Sequence, residues 1–387
     1  MTIAALADQL TALDAAGLRR SRRLLQSPQS ARVKVDGREY IAFCSNDYLG
    51  LAAHPELVAA AGRGAAEYGV GAGASHLILG HSEPHHAAEQ GLARHVGLPR
   101  ALLFSTGYMA NIGAVTALVG RGDAIFADRL NHASLNDAAL LSRATFRRYP
   151  HCDLEALERL LTGSGAGRKL IASDAVFSMD GDLAPVPGLL ALAQRHDAWL
   201  LLDDAHGFGV LGKDGAGALA HFGIHSERIV YVGTLGKAAG VFGAFVAGTD
   251  EVVETLVQRA RSYIYTTATP PMLACAVLRS LELMAEEQWR RTHLHRLVER
   301  VRDGLARLRW RLAESQTAIQ PLLVGENAQA LAVSDQLAER GLLVPAIRPP
   351  TVPQGTARLR ISLSAAHDED DVGRLIDALC EISGRHA

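Results

Sequence analysis

Short apolar runs recur through the middle of the chain, each followed by a polar or glycine-rich break and then by a segment of helical periodicity. The runs at 101–104, 123–128, 169–173, 199–203, 229–232 and 243–247 have the length and composition of strands. Strands alternating with helical segments predict a mostly parallel sheet with helices on both faces. Ahead of this series, Ile3, Leu6, Leu10 and Leu13 repeat at helical spacing within residues 1 to about 26. That helix is expected to end in the basic run 18–23 (LRRSRR), where cations suit the dipole of a helix C-terminus. Residues 32–43 alternate like a short hairpin, 45–50 (SNDYLG) reads as a turn into a helix, and 82–84 (SEP) as a helix start. Beyond about residue 281 the pattern changes. A charged amphipathic helix is expected to about 314, then short strands near 320–324, 342–347 and 357–363. A last helix follows Asp368 with Val372, Leu375, Ile376, Leu379 and Ile382 on its core face. The expected division is an N-terminal helix and hairpin over 1–44, a large domain over 45–285 and a smaller C-terminal α/β domain over 286–387.

Composition narrows the class without naming the chemistry. A chain of 387 residues accommodates one large and one smaller domain, and 48% hydrophobic with 21% charged residues is ordinary for a globular protein. A formal net charge of -2 gives no polyanion-binding surface, so no nucleic-acid partner is expected. Cys44, Cys152, Cys275 and Cys380 are scattered without a C-x-x-C pair, which favours reduced thiols in the cytoplasm over a disulfide frame or zinc site. No apolar run reaches the roughly 20 residues of a membrane helix, and neither a signal-peptide core nor an acid-free transit peptide is present.

The candidate chemistry lies at two strand ends. The run 199–203 (WLLLD) stops in Asp203-Asp-Ala-His206, and 229–232 feeds Gly-Thr234-Leu-Gly-Lys237. A lysine on a tight turn out of free solvent becomes a nucleophile once burial depresses its pKa. The usual fate of a lysine is a solvated surface, and Asp203 or Asp204 alone could cap a helix. A phosphate-binding loop fails, because it would need glycine at Tyr231 and Ser or Thr at Ala238. Strand, Asp-x-x-His, strand, Thr-x-Gly-Lys is instead the layout of a pyridoxal-phosphate (PLP) site, in which the lysine takes the cofactor and an aspartate pairs with the pyridinium nitrogen. The segment 105–111 (STGYMAN) opens a helix and is either a simple cap or an anion seat. His132 follows a strand end, where it is a cap or a ring laid over a planar group. The loop 69–80 (GVGAGASHLILG) fails as a dinucleotide fingerprint, since no apolar strand precedes it. His81, His85 and His86 are not expected to bind metal.

Four stretches together resemble the α-oxoamine synthases: 45–50 (SNDYLG), 177–182 (FSMDGD), 203–212 (DDAHGFGVLG) and 233–237 (GTLGK). These are fold-type-I PLP-dependent transferases that condense an amino acid with an acyl thioester and release carbon dioxide. The resemblance spans nearly the whole chain. Within the family, 346–360 (AIRPPTVPQGTARLR) is most similar to the branch that joins L-alanine to pimeloyl-CoA or a pimeloyl-carrier protein on the way to biotin. The resemblance implies that Lys237 is the Schiff-base lysine and acid/base. Asp203 would hold the ring nitrogen, His206 and Ser178 the ring's 3-oxygen, and His132 would stack on its face. Gly107, Tyr108 and Thr234 would seat the phosphate, with Thr266 and Thr267 reaching the phosphate of a neighbouring subunit in a homodimer. Asn46 and Arg360 would orient the amino acid carboxylate, and Arg19 and Thr351 would line the acyl path. Two rivals are set against this reading. One is a relative joining glycine to a short acyl-CoA, against which 347–351 (IRPPT) weighs. The other is a PLP-binding regulator, which needs a DNA-reading module such as a helix-turn-helix that the segment before Ser45 is too short to supply.

Overall fold

The central strands are apolar on both sides, so they can exist only inside two layers of helices. The computed structural model, which describes residues 3–16 and 18–384, places them there. In chain order the strands are β1 (Arg32–Val35), β2 (Arg38–Ala42), β3 (Arg100–Phe104), β4 (Ala124–Asp128), β5 (Thr145–Tyr149), β6 (Lys169–Asp174) and β7 (Ala198–Asp203). They continue as β8 (Ile229–Thr234), β9 (Ala244–Gly248), β10 (Arg311–Leu312), β11 (Ile319–Gly325), β12 (Leu342–Leu343), β13 (Ala346–Ile347) and β14 (Ala357–Ser362). The large sheet runs β3-β9-β8-β7-β6-β4-β5. Only β9 is antiparallel to its neighbours β3 and β8, and the other adjacent pairs are parallel. Side chains alternate between two cores. Ile125, Ala127, Leu201 and Val232 pack with Ala114 and Val115 of helix Gly107–Leu118 on one face. Phe126, Leu200, Leu202 and Tyr231 pack with Val277 of helix Pro271–Glu286 on the other.

This architecture brings the carboxyl ends of the parallel strands to one edge, where open α/β sheets bind ligands. Asp128, Asp174, Asp203 and Thr234 are the last residues of β4, β6, β7 and β8. A smaller antiparallel sheet, β10-β11-β14-β13, carries Arg358 and Arg360 on β14 up to the same edge. The N-terminal hairpin gains a third strand from far along the chain, because β12 pairs parallel with β2.

Several expectations change. The first helix spans Ile3–Ala15, and Leu6, Leu10 and Leu13 along it are exposed (the Ile3 side chain falls outside the described residues). No basic residue sits in its last turn, so the run 18–23 lies in non-helical chain beyond it and does not cap its dipole. The long helix expected to about 314 is two helices, Pro271–Glu286 and Trp289–Leu305. Across the break, Glu287 pairs with Arg290 at 2.5 Å. The second helix stops at Leu305, and its Arg302 guanidinium donates to the carbonyls of Ala313 and Ser315, holding the chain that follows as β10. The strand expected over 342–347 is two short strands in two different sheets. An unexpected edge strand, β5, completes the large sheet; its polar sequence TFRRY leaves most of it solvated.

Candidate active site

Lys237 stands on the turn between β8 and β9. The turn is closed by Leu235 N–H to the Gly243 carbonyl (2.9 Å) and by Gly240 N–H to the Lys237 carbonyl (2.9 Å). Gly240 has φ +67°, and a Cβ there would lie 2.6 Å from the backbone of Leu51, so the turn admits only glycine. The side chain of Lys237 enters a cavity of about 200 Å³ at the carboxyl edge of the sheet. Burial lowers its pKa to about 8 against the opposing pull of the Asp203 and Asp174 carboxylates. An amine in that range is a competent nucleophile and base near neutrality.

A chain of polar contacts leads outward from Lys237. Its Nζ lies 2.9 Å from His206 Nε2, and His206 Nδ1 lies 2.6 Å from the Tyr48 hydroxyl. Tyr48 donates to Asn46 Oδ1 at 3.1 Å, and the Arg360 guanidinium reaches the same Asn46 oxygen at 3.2 and 3.3 Å. Arg360 Nε also donates to the Ser178 carbonyl at 2.6 Å. Burial, followed by the Lys237 and Arg360 cations, holds His206 well below the usual histidine range, so its imidazole is neutral.

The opposite wall is acidic. Asp203 is buried; its Oδ2 accepts from Asn111 at 2.6 Å and its Oδ1 from the Ala205 N–H at 3.0 Å. Asp174 is the register partner of Asp203 on the next strand and accepts from the His132 N–H at 3.0 Å. Burial and the Asp203 charge push Asp174 well above the usual carboxylate range. His132 caps helix Ala133–Ser142, its Nδ1 lies 2.7 Å from Ser134 Oγ, and burial keeps the ring neutral. At the phosphate-sized end, Thr106 caps helix Gly107–Leu118 by accepting from Met109 N–H. A Cβ at Gly107 would meet open space, which leaves room for an anion at the free N–H groups.

These residues fit PLP on the structure's own terms. Asn111 Oδ1 and Asp174 Oδ1 are buried without a partner beside the cavity, as expected where a polar ligand completes the set. The donor set supplies an amine, a carboxylate opposite it and a helix N-terminus.

Of the residues expected from sequence, Gly107, Tyr108, His132, Ser178, Asp203, His206, Thr234 and Lys237 line this one cavity. Asn46 and Arg360 join it through Tyr48. Four do not line it. Thr266 and Thr267, expected to serve a neighbouring subunit, sit between helix Arg261–Ile264 and Pro271. Thr351 lies on an exposed loop, and Arg19 is paired with Asp14 at 2.6 Å on the wall of a separate groove of about 610 Å³. The glycine-rich loop also stays outside; its last residues form one π-helical turn, His76–Gly80. His85 closes a capping box with Ser82 and meets the Thr269 carbonyl at 2.7 Å. Sequence reasoning missed Tyr48, Asn111 and Asp174. Asp174 carried a usable signal, a carboxylate directly after an apolar strand. Tyr48 and Asn111 carried none beyond their membership of motifs read for other residues.

Residues 38–379 match the family Aminotransferase class I and II. The 8-amino-7-oxononanoate synthase of Nitrosospira multiformis is 66% identical over 365 residues, which cover 94% of this chain and 92% of that protein. The protein of the same name from Nitrosomonas europaea is 62% identical over 388 residues, covering 98% and 99%. Among solved structures, a variant serine palmitoyltransferase from S. paucimobilis with a bound PLP–myriocin aldimine superposes with a TM-score of 0.92 at 28% identity, covering 98% of each chain.

Proposed function

Because this chain belongs to the 8-amino-7-oxononanoate synthases, PLP enzymes of the class I and II aminotransferase family, we propose that it joins L-alanine to a pimeloyl thioester, releasing carbon dioxide and free thiol. The observation that carries the reading is the unbroken path from Lys237 through His206, Tyr48 and Asn46 to Arg360. It links a base of depressed pKa inside the cavity to a buried guanidinium just behind its wall, a layout suited to holding an α-amino acid and removing its α-proton.

Bound PLP supplies the electron sink that makes the α-proton acidic. Lys237 Nζ would hold the cofactor, and its amine would be the base that takes the α-proton of L-alanine and later returns one. Asp203, fixed by Asn111, would keep the cofactor's ring nitrogen protonated. Neutral His206 and Ser178 would hold the ring's 3-oxygen, and the neutral His132 ring would offer a flat face for stacking. Gly107, Tyr108 and Thr234 would seat the phosphate. Arg360, with Asn46, clamps the alanine carboxylate, since a guanidinium can meet both carboxylate oxygens at once.

The groove beside Arg19 supports the acyl half of the reaction. Its wall residue Pro345 accepts the Arg360 backbone N–H at 3.1 Å, so the groove and the amino acid seat lie back to back. We assign Arg19 and Thr351 to this outer path. A homodimer is part of the same reading. Exposed Ile78, Leu79 and Tyr265 lie on two loops tied together by Ala268 N–H to the Ala74 carbonyl (2.9 Å), next to Thr266 and Thr267.

Free-thiol release from pimeloyl-CoA by the PLP-loaded protein, with L-alanine against glycine and L-serine, tests the function. Release that depends on L-alanine is expected. Release with glycine or serine alone would overturn the substrate, and none with CoA or carrier-protein thioester would overturn the reaction.

A further inference from the structure

Outside the cavity, His151 lies between two carboxylates. Its Nδ1 is 3.1 Å from Asp128 Oδ1, and its Nε2 is 2.8 Å from Asp182 Oδ2. The ring meets Phe177 edge-on, with centroids 4.4 Å apart. Asp128, Asp182 and His151 come from three separate stretches of chain, and each carboxylate belongs to a segment that ends at the active site. Asp128 is the last residue of β4; it accepts from Leu130 N–H (2.8 Å) at the start of the short connection to His132. Asp182 closes the turn that carries Ser178, where Phe177 N–H meets the Asp182 carbonyl at 3.0 Å and Gly181 N–H meets the Phe177 carbonyl at 2.7 Å.

The turn continues β6, closed at its base by Ala184 N–H to the Ala175 carbonyl (2.9 Å), and is also held from the small sheet and the chain between β10 and β11. Arg358 pairs with Asp180 at 2.6 Å, Arg360 holds the Ser178 carbonyl, and Ser315 and Thr317 hold the Gly181 carbonyl. His151 adds a side-chain tie from the turn to β4 of the large sheet. We propose that His151 is a positioning residue for the cofactor. Its imidazolium, bonded at both nitrogens, sets the Ser178 turn against the His132 segment, so that a ring stacked on His132 meets the Ser178 hydroxyl. The inference rests on the assignment of Ser178 and His132 to PLP above.

The charge state agrees with the geometry. Burial alone would lower the His151 pKa, but the bonds to Asp128 and Asp182 and the adjacent Cys152 raise it to about 12. Both ring nitrogens then donate, which a neutral imidazole cannot do. A metal ion in this place is disfavoured by the position of Cys152. Its sulfur is nearly equidistant from the two ring nitrogens, at 3.7 and 3.6 Å, and so lies off both lone-pair directions.

The test is a double-mutant cycle on PLP affinity, read from the cofactor's visible absorbance as the apo-protein is titrated with PLP. Wild type, His151→Asn, Ser178→Ala and the double variant are compared. His151→Asn is expected to weaken binding roughly tenfold, the scale of a lost charge-assisted hydrogen bond. The double variant should bind no more weakly than the weaker single one, because a misplaced Ser178 has nothing left to lose. Unchanged affinity in His151→Asn, or losses that multiply in the double variant, would overturn the proposal. If His151→Asn does not fold, Asp182→Asn takes its place in the cycle under the same criterion, since it leaves the imidazolium paired with Asp128. Cofactor affinity is independent of substrate choice. A wild type that binds PLP but releases no thiol would defeat the proposed reaction and leave this cycle readable.

Discussion

The Lys237 cavity and the groove beside Arg19 meet back to back at β14, yet they hold their groups in opposite ways. In the cavity and just behind it, side chains are fixed by one another: Asn111 to Asp203, Lys237 to His206 and Arg360 to Asn46, at 2.6–3.3 Å. Burial holds His206 neutral there and lowers Lys237 to about 8, so that its free amine is within reach near neutrality. The groove is open, with Arg19, Arg20 and Arg23 exposed along one side, and its Arg19–Asp14 pair is half-exposed on both partners. Ion pairs of that kind contribute roughly 0–1 kcal/mol. Chemistry demands fixed dipoles and shifted pKa values, and the sheet edge supplies them. An acyl carrier held in the groove, as proposed above, would need only charge and space.

The contrast can be broken most severely at Lys237. Lys237→Ala should cut thiol release by about 10⁴-fold or more, the upper range for loss of a general base, and remove the visible band of the covalently attached cofactor. Asp203→Asn is next. PLP should stay bound, while exchange of the L-alanine α-proton falls roughly a hundredfold, because the ring nitrogen loses its charge partner. Arg360→Lys, which trades a two-point clamp for a point charge, should raise the KM for L-alanine about tenfold in steady-state assays. Arg19→Ala belongs to the groove and should do least. The KM for the pimeloyl thioester should rise only about two- to fivefold, and the difference from wild type should shrink as salt is added.

A pH series sharpens the same distinction. Burial depresses Lys237, so the amine is protonated below about pH 8 and free above it. The rate at which apo-protein captures PLP, followed by absorbance, should climb with pH and level off above about 8. A solvated lysine would keep climbing towards its ordinary value near 10.4.

Legibility follows the same division. Lys237, Asp203 and Thr234 stand at the ends of apolar strands, so the sequence marks both their environment and their common edge. Asn111 shares a motif with the phosphate seat, but its bond to Asp203 joins residues 92 apart. No local pattern reports such a contact. Tyr48 is hidden in the same way, since its value lies in standing between His206 and Arg360. The edge strand β5 was unreadable because a solvated strand shows no apolar run. The basic run 18–23 was misplaced because helical spacing of Leu6, Leu10 and Leu13 says nothing of where the helix stops.

The most direct test is hydrogen–deuterium exchange at the α-carbon of L-alanine in D2O, with PLP-loaded protein and no thioester present. Steady exchange in wild type and none above background in Lys237→Ala is the predicted result. Exchange that persists in Lys237→Ala would place the base elsewhere and contradict the assignment of the cavity.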